Sequence, residues 1–259
     1  MRTRKVVPAQ PPREDCVVHV WRIGLDLPDG PLLSVCRDVL SAAERARADG
    51  QRNDKSRRRY VAAHAALHAI LGRFIGVAPG GVRFEYGAFG KPHLFPTSRW
   101  SFSLAHSGNV ALVTAARGRL VGVDVEQVRP AVRAVELAKR FFADDEAVAV
   151  AACSAGERAA AFARLWTLKE AVGKALGCGL RPSVVGRFVA PEVLYEDVVC
   201  RRFTRWPLTG AWTVHMLAPA GGYVGAVAGA GEGWELRHYA WEWDGAAFAR
   251  LAASGVDQA

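Results

Sequence analysis

The sequence predicts an α+β fold made of two similar α/β subdomains related by a pseudo-two-fold, with the active site in the cleft between them. Three observations carry that expectation. Hydrophobic residues make up 51% of the 259 and charged residues 23%, enough apolar material for a folded core. The apolar positions alternate between a helical period and strand-like runs, with no low-complexity segment and no short-period repeat. The same coarse plan, a helix plus several strands, occurs on either side of Arg117-Gly118-Arg119. The chain is therefore expected to divide into a flexible tail over 1–15, an N-terminal subdomain over 16–118 and a C-terminal subdomain over 119–259.

The elements follow in order. Met1 to Arg13 carries charge and proline with no apolar segment behind it, the mark of a loose tail and not of a signal peptide. Residues 16–25 are β-branched and apolar, a strand. From Ser56 to Gly76 the positions Tyr60, Ala63, Leu67, Ile70, Leu71 and Phe74 keep a helical period. Val82–Tyr86 leads into a turn at Gly87–Pro92. The strands Trp100–Leu104 and Val110–Ala115 follow, joined by a hairpin-like turn over Ala105–Asn109. The pattern restarts with a strand at Leu120–Glu126, a helix at Ala131–Phe142, alanine-rich helix from Asp144 to Cys153 and a long helix from Glu157 to Gly177. Strands near Trp212–Leu217, Tyr223–Ala228 and Leu236–Trp243 complete it.

Charge and cysteine usage bound the function. The 34 Lys and Arg against 25 Asp and Glu leave a net charge of +9, which favours polyanionic partners: nucleic acid, acidic proteins, anionic membranes or phosphorylated small molecules. The densest basic stretch, Arg45 to Arg59, reads by itself as a solvated helix face. The longest apolar runs, such as Tyr223–Ala230, are too short to cross a bilayer. The five cysteines are scattered singly with no CxxC pair, pointing to reduced thiols in a cytoplasm.

Four places can carry chemistry. In Gly122-Val-Asp124-Val-Glu126 the two carboxylates share a strand face while Val121, Val123 and Val125 face a core. Two carboxylates on one face repel, and a divalent cation relieves that; an all-oxygen set suits Mg²⁺ or Mn²⁺ over zinc. An edge strand with a wet polar face is the plainer alternative. On the helix Phe162–Gly177, the residues Phe162, Leu165, Trp166, Leu168, Val172 and Leu176 make one apolar face, with Glu170 and Lys174 together at its margin. Lys169 falls inside the apolar arc, where an ammonium must snorkel or pair. Glu170 and Lys174 fit either a surface ion pair or a metal-bound pyrophosphate. Phe89-Gly90-Lys91-Pro92 is a stiffened glycine turn behind a lysine, and Phe102–Gly108 sets His106 and Ser107 at a strand end. The elbow of a nucleophilic serine, a zinc set around His64 and His68, and a G-x-x-x-x-G-K-S/T phosphate loop are all missing from the pattern.

In this order the motifs resemble the surfactin-type 4′-phosphopantetheinyl transferases. The resemblance runs from about Arg57 to Gly179, with Glu170 46 residues after Asp124. It implies an Mg²⁺-dependent enzyme, with Mn²⁺ as the alternative ion, that transfers the 4′-phosphopantetheine of coenzyme A to a serine of an acidic acyl or peptidyl carrier protein and releases 3′,5′-ADP. Asp124, Glu126 and Glu170 would hold the ion against the pyrophosphate, and Lys169 and Lys174 would add positive charge along it. Lys91 and Pro92 would lie along the adenine, and His106 and Ser107 near the ribose 3′-phosphate. Glu146 matches the general base for the carrier serine; Asp144, Asp145 or a metal-bound water are the alternatives. Where such proteins usually carry arginine for the 3′-phosphate this chain has His64, so either His64 is protonated by the phosphate or the Arg57–Arg59 cluster, with Arg57 and Arg58, supplies the charge. The resemblance also implies a cytoplasmic monomer acting away from membranes and nucleic acid.

Two other classes compete. A basic nucleic-acid-binding protein would interleave aromatic residues with its cations, yet Arg45–Arg59 contains none, and it leaves the Asp124/Glu126 face unexplained. A catalytically inactive carrier-binding homologue would have no need of all three candidate metal carboxylates.

Overall fold

The computed structural model describes residues 15–27, 30–130, 132–179, 190–205 and 208–253; the expected tail lies, but for residue 15, outside them. Local chemistry explains the first elements. After β1 (Val17–Gly24), helix α1 (Pro31–Asp38) opens on a proline, which a first turn tolerates. Helix α2 (Ala42–Asp49) is started by a reciprocal cap: Ser41 Oγ accepts from Glu44 N at 3.3 Å, and Ser41 N donates to Glu44 Oε2 at 2.9 Å. Helix α3 (Asp54–Ile75) is capped by Asn53, whose Oδ1 accepts from Ser56 N at 2.9 Å, and ends on Gly76 in the left-handed region.

β2 (Arg83–Tyr86) and β3 (Pro92–Phe95) form a small hairpin. β4 (Trp100–Ser107), β5 (Val110–Arg117) and β10 (Glu235–Trp241) join β1 in a four-stranded sheet of order β10-β1-β5-β4, in which β1 runs parallel to β10. β6 (Val121–Gln127), β7 (Val198–Arg205), β8 (Leu208–Leu217) and β9 (Tyr223–Ala230) form an antiparallel sheet of order β6-β9-β8-β7. Between β6 and β7 in sequence come α4 (Ala134–Phe141), α5 (Asp144–Ala152) and α6 (Arg158–Leu176); α7 (Gly245–Ala253) closes the described chain.

The fold is α+β, as the pattern predicts. Alternation along the strands splits the interior into three cores. α3 covers one face of the first sheet, burying Trp21, Ile23, Phe102 and Val113. α6 covers the second sheet, with Leu165, Leu168 and Val172 against Val214 and Ala226. Between the sheets Val18, Val20 and Leu112 meet Val121, Val123 and Val125 of β6. The two sheets are thus joined by β6, and the long helices lie outside them.

Several details differ from the sequence reading. The strand expected to stop at Leu104 runs on through Ser107, so the hairpin turn is only Gly108-Asn109. There a Cβ on Gly108 (φ 55°) would collide with Tyr223 Oη, so the turn must be glycine. α1, α2, β3, β7 and α7 are absent from the sequence reading; α2 buries only Glu44 and Ala48 and so shows no apolar stripe. β10, which a division at residue 118 puts in the C-terminal half, lies in the first sheet beside β1. Among the described residues no helix is long and apolar enough to cross a membrane.

Candidate active site

The site begins with the two faces of β6. Val121, Val123 and Val125 point into the core between the sheets, so Gly122, Asp124 and Glu126 face α6. A Cβ on Gly122 would collide with Ala171 O and Ala175 N, and its absence lets the backbone of α6 close on the strand. That approach sets Asp124 under Lys174, with Nζ 2.7 Å from Oδ1. Asp124 is only 4% exposed, so this face is not the wet edge of a plain alternating strand. Its other oxygen, Oδ2, is buried without a hydrogen-bond partner.

Burial pushes the Asp124 carboxyl up to about 7; Lys174 opposes the rise while Glu126 and Glu170 add to it. Glu170 is raised as well, by burial and by Glu126, against the pull of Lys174. The three acids expected to act together therefore lie within electrostatic reach of one another. Ser107 holds Glu126 in place: its Oγ donates to Glu126 Oε2 at 2.9 Å and accepts from Gln127 N at 3.2 Å. Ser107 thus orients a carboxylate, where the resemblance put it near a phosphate. Glu170 and Lys174 do not form the surface pair with each other that their spacing allows; Lys174 reaches across to Asp124 instead.

From Glu170 and Lys174 an open cleft of about 390 Å³ extends along α3 and the β2–β3 hairpin, and His64, Lys91 and Pro92 line it. Arg47 and Tyr86, which the sequence reading passed over, line it too. The Arg47 guanidinium lies 5.2 Å from the Tyr86 ring centre, and its Nη1 donates to Tyr86 Oη at 3.4 Å. The Ser41-x-x-Glu44 cap was the signal that could have placed Arg47 on a helix. Of the same basic run, Arg57 and Arg58 pair with Asp54, Arg59 pairs with Asp26, and neither Arg57 nor Arg58 lines the cleft.

Three further expectations change. Lys91 Nζ donates to Ala175 O at 2.6 Å and Val121 O at 3.3 Å, and burial lowers its ammonium to about 8. It fastens the hairpin to α6 and β6, and its charge is directed at carbonyls. Lys169 pairs inside the core, as its place in the apolar arc required: Nζ is 2.8 Å from Glu146 Oε2, and the two side chains are 2% and 0% exposed. Glu146 also accepts from Ala143 N at 3.0 Å and Ala190 N at 3.2 Å. A carboxylate enclosed in this way is not set to take a proton from a protein serine, and an ammonium so enclosed is not set along a pyrophosphate. His106 is exposed at the end of β4; desolvation of its ring, with Lys174 and Arg59 nearby, holds it below the ordinary histidine range.

Among the described residues no three His, Cys, Asp or Glu groups already close around one point. The fit to a divalent cation rests on other features. Asp124 Oδ2 is a buried oxygen with nothing to bind, the neighbouring donors Glu126 and Glu170 are hard oxygen ligands, and Glu126 is pre-oriented by Ser107. Repulsion among the three acids is what a cation would remove.

Residues 120–228 match the family model described as the 4′-phosphopantetheinyl transferase superfamily. The chain is similar to the 4′-phosphopantetheinyl transferase HetI of Nostoc sp., 37% identical over 227 residues that make up 86% of this chain and 92% of the relative. It is similar to the 4′-phosphopantetheinyl transferase Sfp of Bacillus subtilis, 29% identical over 114 residues, covering 44% of this chain and 50% of the relative. The 4′-phosphopantetheinyl transferase AcpT of Salmonella typhimurium is 35% identical over 113 residues, 43% of this chain and 57% of the relative.

Proposed function

Since the chain belongs to the 4′-phosphopantetheinyl transferase superfamily, we propose that it moves the 4′-phosphopantetheine arm of coenzyme A onto a serine of a carrier protein, releasing 3′,5′-ADP, with a divalent cation at Asp124, Glu126 and Glu170. The observation that carries this reading is the pairing of Lys174 with buried Asp124, which keeps an unpartnered carboxylate oxygen, at one end of a cleft lined by Arg47 and His64.

The roles divide along the cleft. Asp124, Glu126 and Glu170 would hold Mg²⁺ or Mn²⁺, whose chemistry is to neutralise charge on the phosphate under attack and on the departing 3′,5′-ADP. Ser107 keeps Glu126 turned toward that end. Lys174, half-exposed and already directed at Asp124, adds a fixed positive charge beside the pyrophosphate. Arg47 and His64 face the 3′-phosphate at the other end, and Tyr86, Phe89 and Pro92 offer the adenine an apolar wall. Lys91 shapes that wall by tying it to α6.

The net charge of +9 supports an acidic carrier as the protein substrate. A cleft lined from α2, α3, the β2–β3 hairpin, β4 and α6 of one chain supports a monomer. Five free cysteines, Cys36 buried, support a cytoplasmic setting. The test is the intact mass of an apo carrier protein after incubation with coenzyme A, Mg²⁺ and this protein. A gain of one phosphopantetheine on a serine is expected; no gain on any carrier of the same genome, with the protein folded, overturns the reading.

A further inference from the structure

We propose that His64 binds the 3′-phosphate of coenzyme A only by taking up a proton, so that substrate capture at that end of the cleft is coupled to protonation of Nε2. The inference rests on the coenzyme A reading above and assigns the site a device that reading does not contain.

His64 Nδ1 lies 2.9 Å from Tyr60 O. A carbonyl has no proton to give, so Nδ1 carries one and donates it. The ring also stacks on Tyr60 with centres 3.8 Å apart, which holds that orientation. In the neutral ring Nε2 is then a bare acceptor, and His64 lines the cleft. A phosphate monoester dianion offers acceptors only, so two lone pairs would meet unless a second proton arrives.

The neighbours explain why the proton is absent beforehand. Around His64 stand Glu44 and Arg47 from α2, Tyr60 and His68 from α3, His106 from β4 and Tyr86 from β2, with Glu170 and Lys174 across the cleft on α6. Burial lowers the ring to about 4, helped by His106 and His68 and opposed by the Tyr60 carbonyl and by Glu44. Glu44, the acid that favours a charged His64, is engaged with His68 at 3.1 Å and with Ser41. Nothing there charges His64 in the absence of ligand. An opposite charge within about 4–6 Å raises a histidine by about 1–3 pH units, and a dianion brings two. The incoming phosphate therefore supplies the field that draws the proton in. Arg47, always charged, serves the same end of the cleft without a proton. Arg57 and Arg58 are held by Asp54 and leave the task to His64.

The experiment is calorimetric titration of the full chain with coenzyme A and with 3′-dephospho-coenzyme A, each in two buffers of different ionisation heat at pH 7.5 and saturating Mg²⁺. Proton changes at the carboxylate end cancel in the difference between the ligands. Coenzyme A is expected to take up more protons than the dephospho form, and its affinity advantage to shrink as pH rises from 7 to 9, by at most about tenfold per pH unit. His64→Gln should abolish the extra uptake and most of the advantage. His64→Arg should abolish the uptake and keep the advantage at pH 9; circular dichroism checks that both variants fold. Equal uptake by the two ligands, or extra uptake that persists in His64→Arg, overturns the proposal and leaves the transferase reading standing. Failure of coenzyme A to bind at pH 6 as well as at pH 8 overturns both.

Discussion

Lys174 Nζ stands 2.7 Å from Asp124 Oδ1, and this contact joins the middle of β6 to the last turn of α6 at the head of the cleft. The pair leaves Asp124 Oδ2 buried and unpartnered, which is an unstable arrangement for an isolated structural ion pair. An aspartate that has one oxygen on a lysine and the other free is half of a binding site. The neighbours Glu126 and Glu170 raise it further and make the shortage of positive charge local.

Glu170→Gln keeps size and hydrogen bonding and removes one charge from this end. Transfer is expected to fall by at least about 100-fold, because charge stabilisation of this kind is worth several kcal/mol. Thermal stability without ligands should hold or rise slightly, since one repelling carboxylate is gone. Coenzyme A should still bind, but Mg²⁺ should no longer tighten it. Turnover and Mg²⁺ dependence near wild type would remove Glu170 from the cation set.

The buried Glu146–Lys169 pair is expected to act on stability and not on proton transfer. Removing one partner strands the other, so Glu146→Gln or Lys169→Met should each destabilise by about 3–5 kcal/mol in urea denaturation. The double variant Glu146→Leu/Lys169→Met should recover much of the loss. Transfer should decline only with the folded fraction; a fully folded Glu146→Gln protein without activity would restore Glu146 as the base.

Acid should destabilise the first sheet through His19. Burial lowers this histidine from 6.5 to about 4, with Arg237 contributing. Between those values the unfolded chain binds the extra proton and the folded chain does not, so stability declines as pH falls from 6.5 to 4 and the penalty is complete below. At about 1.4 kcal/mol per pH unit, the loss by pH 4 is about 3 kcal/mol. His19→Phe, which forgoes the 3.0 Å bond to Tyr239 Oη, should start lower and show a flatter acid slope between pH 6.5 and 4 in thermal melts. An unchanged slope would assign the acid sensitivity elsewhere.

Gly122→Ala tests the approach of α6 to β6. The new Cβ meets the helix backbone at Ala171 and Ala175, where no side chain can swing away. Destabilisation of about 1–3 kcal/mol or more is expected, with loss of transfer beyond the loss of fold as Lys174 moves off Asp124. A variant with wild-type melting temperature and activity would show that the close contact is not needed.

The sequence by itself determined the class of fold, the strand face shared by Asp124 and Glu126, and the need of Lys169 for a partner. Each follows from a short-range rule: period two, period 3.6, or the cost of burying an ammonium. The order of the motifs carried the family as well. Only the tertiary structure decided who meets whom. Lys174 turns to Asp124 and not to Glu170, Lys169 finds Glu146 on another helix, and Lys91 goes to backbone carbonyls. Arg47 reaches the cleft from α2, a helix with no apolar stripe to announce it, while Arg57 and Arg58 turn to Asp54. Those pairings join residues far apart in sequence, and burial sets their strength; no local pattern encodes either the separation or the solvent that is left between them.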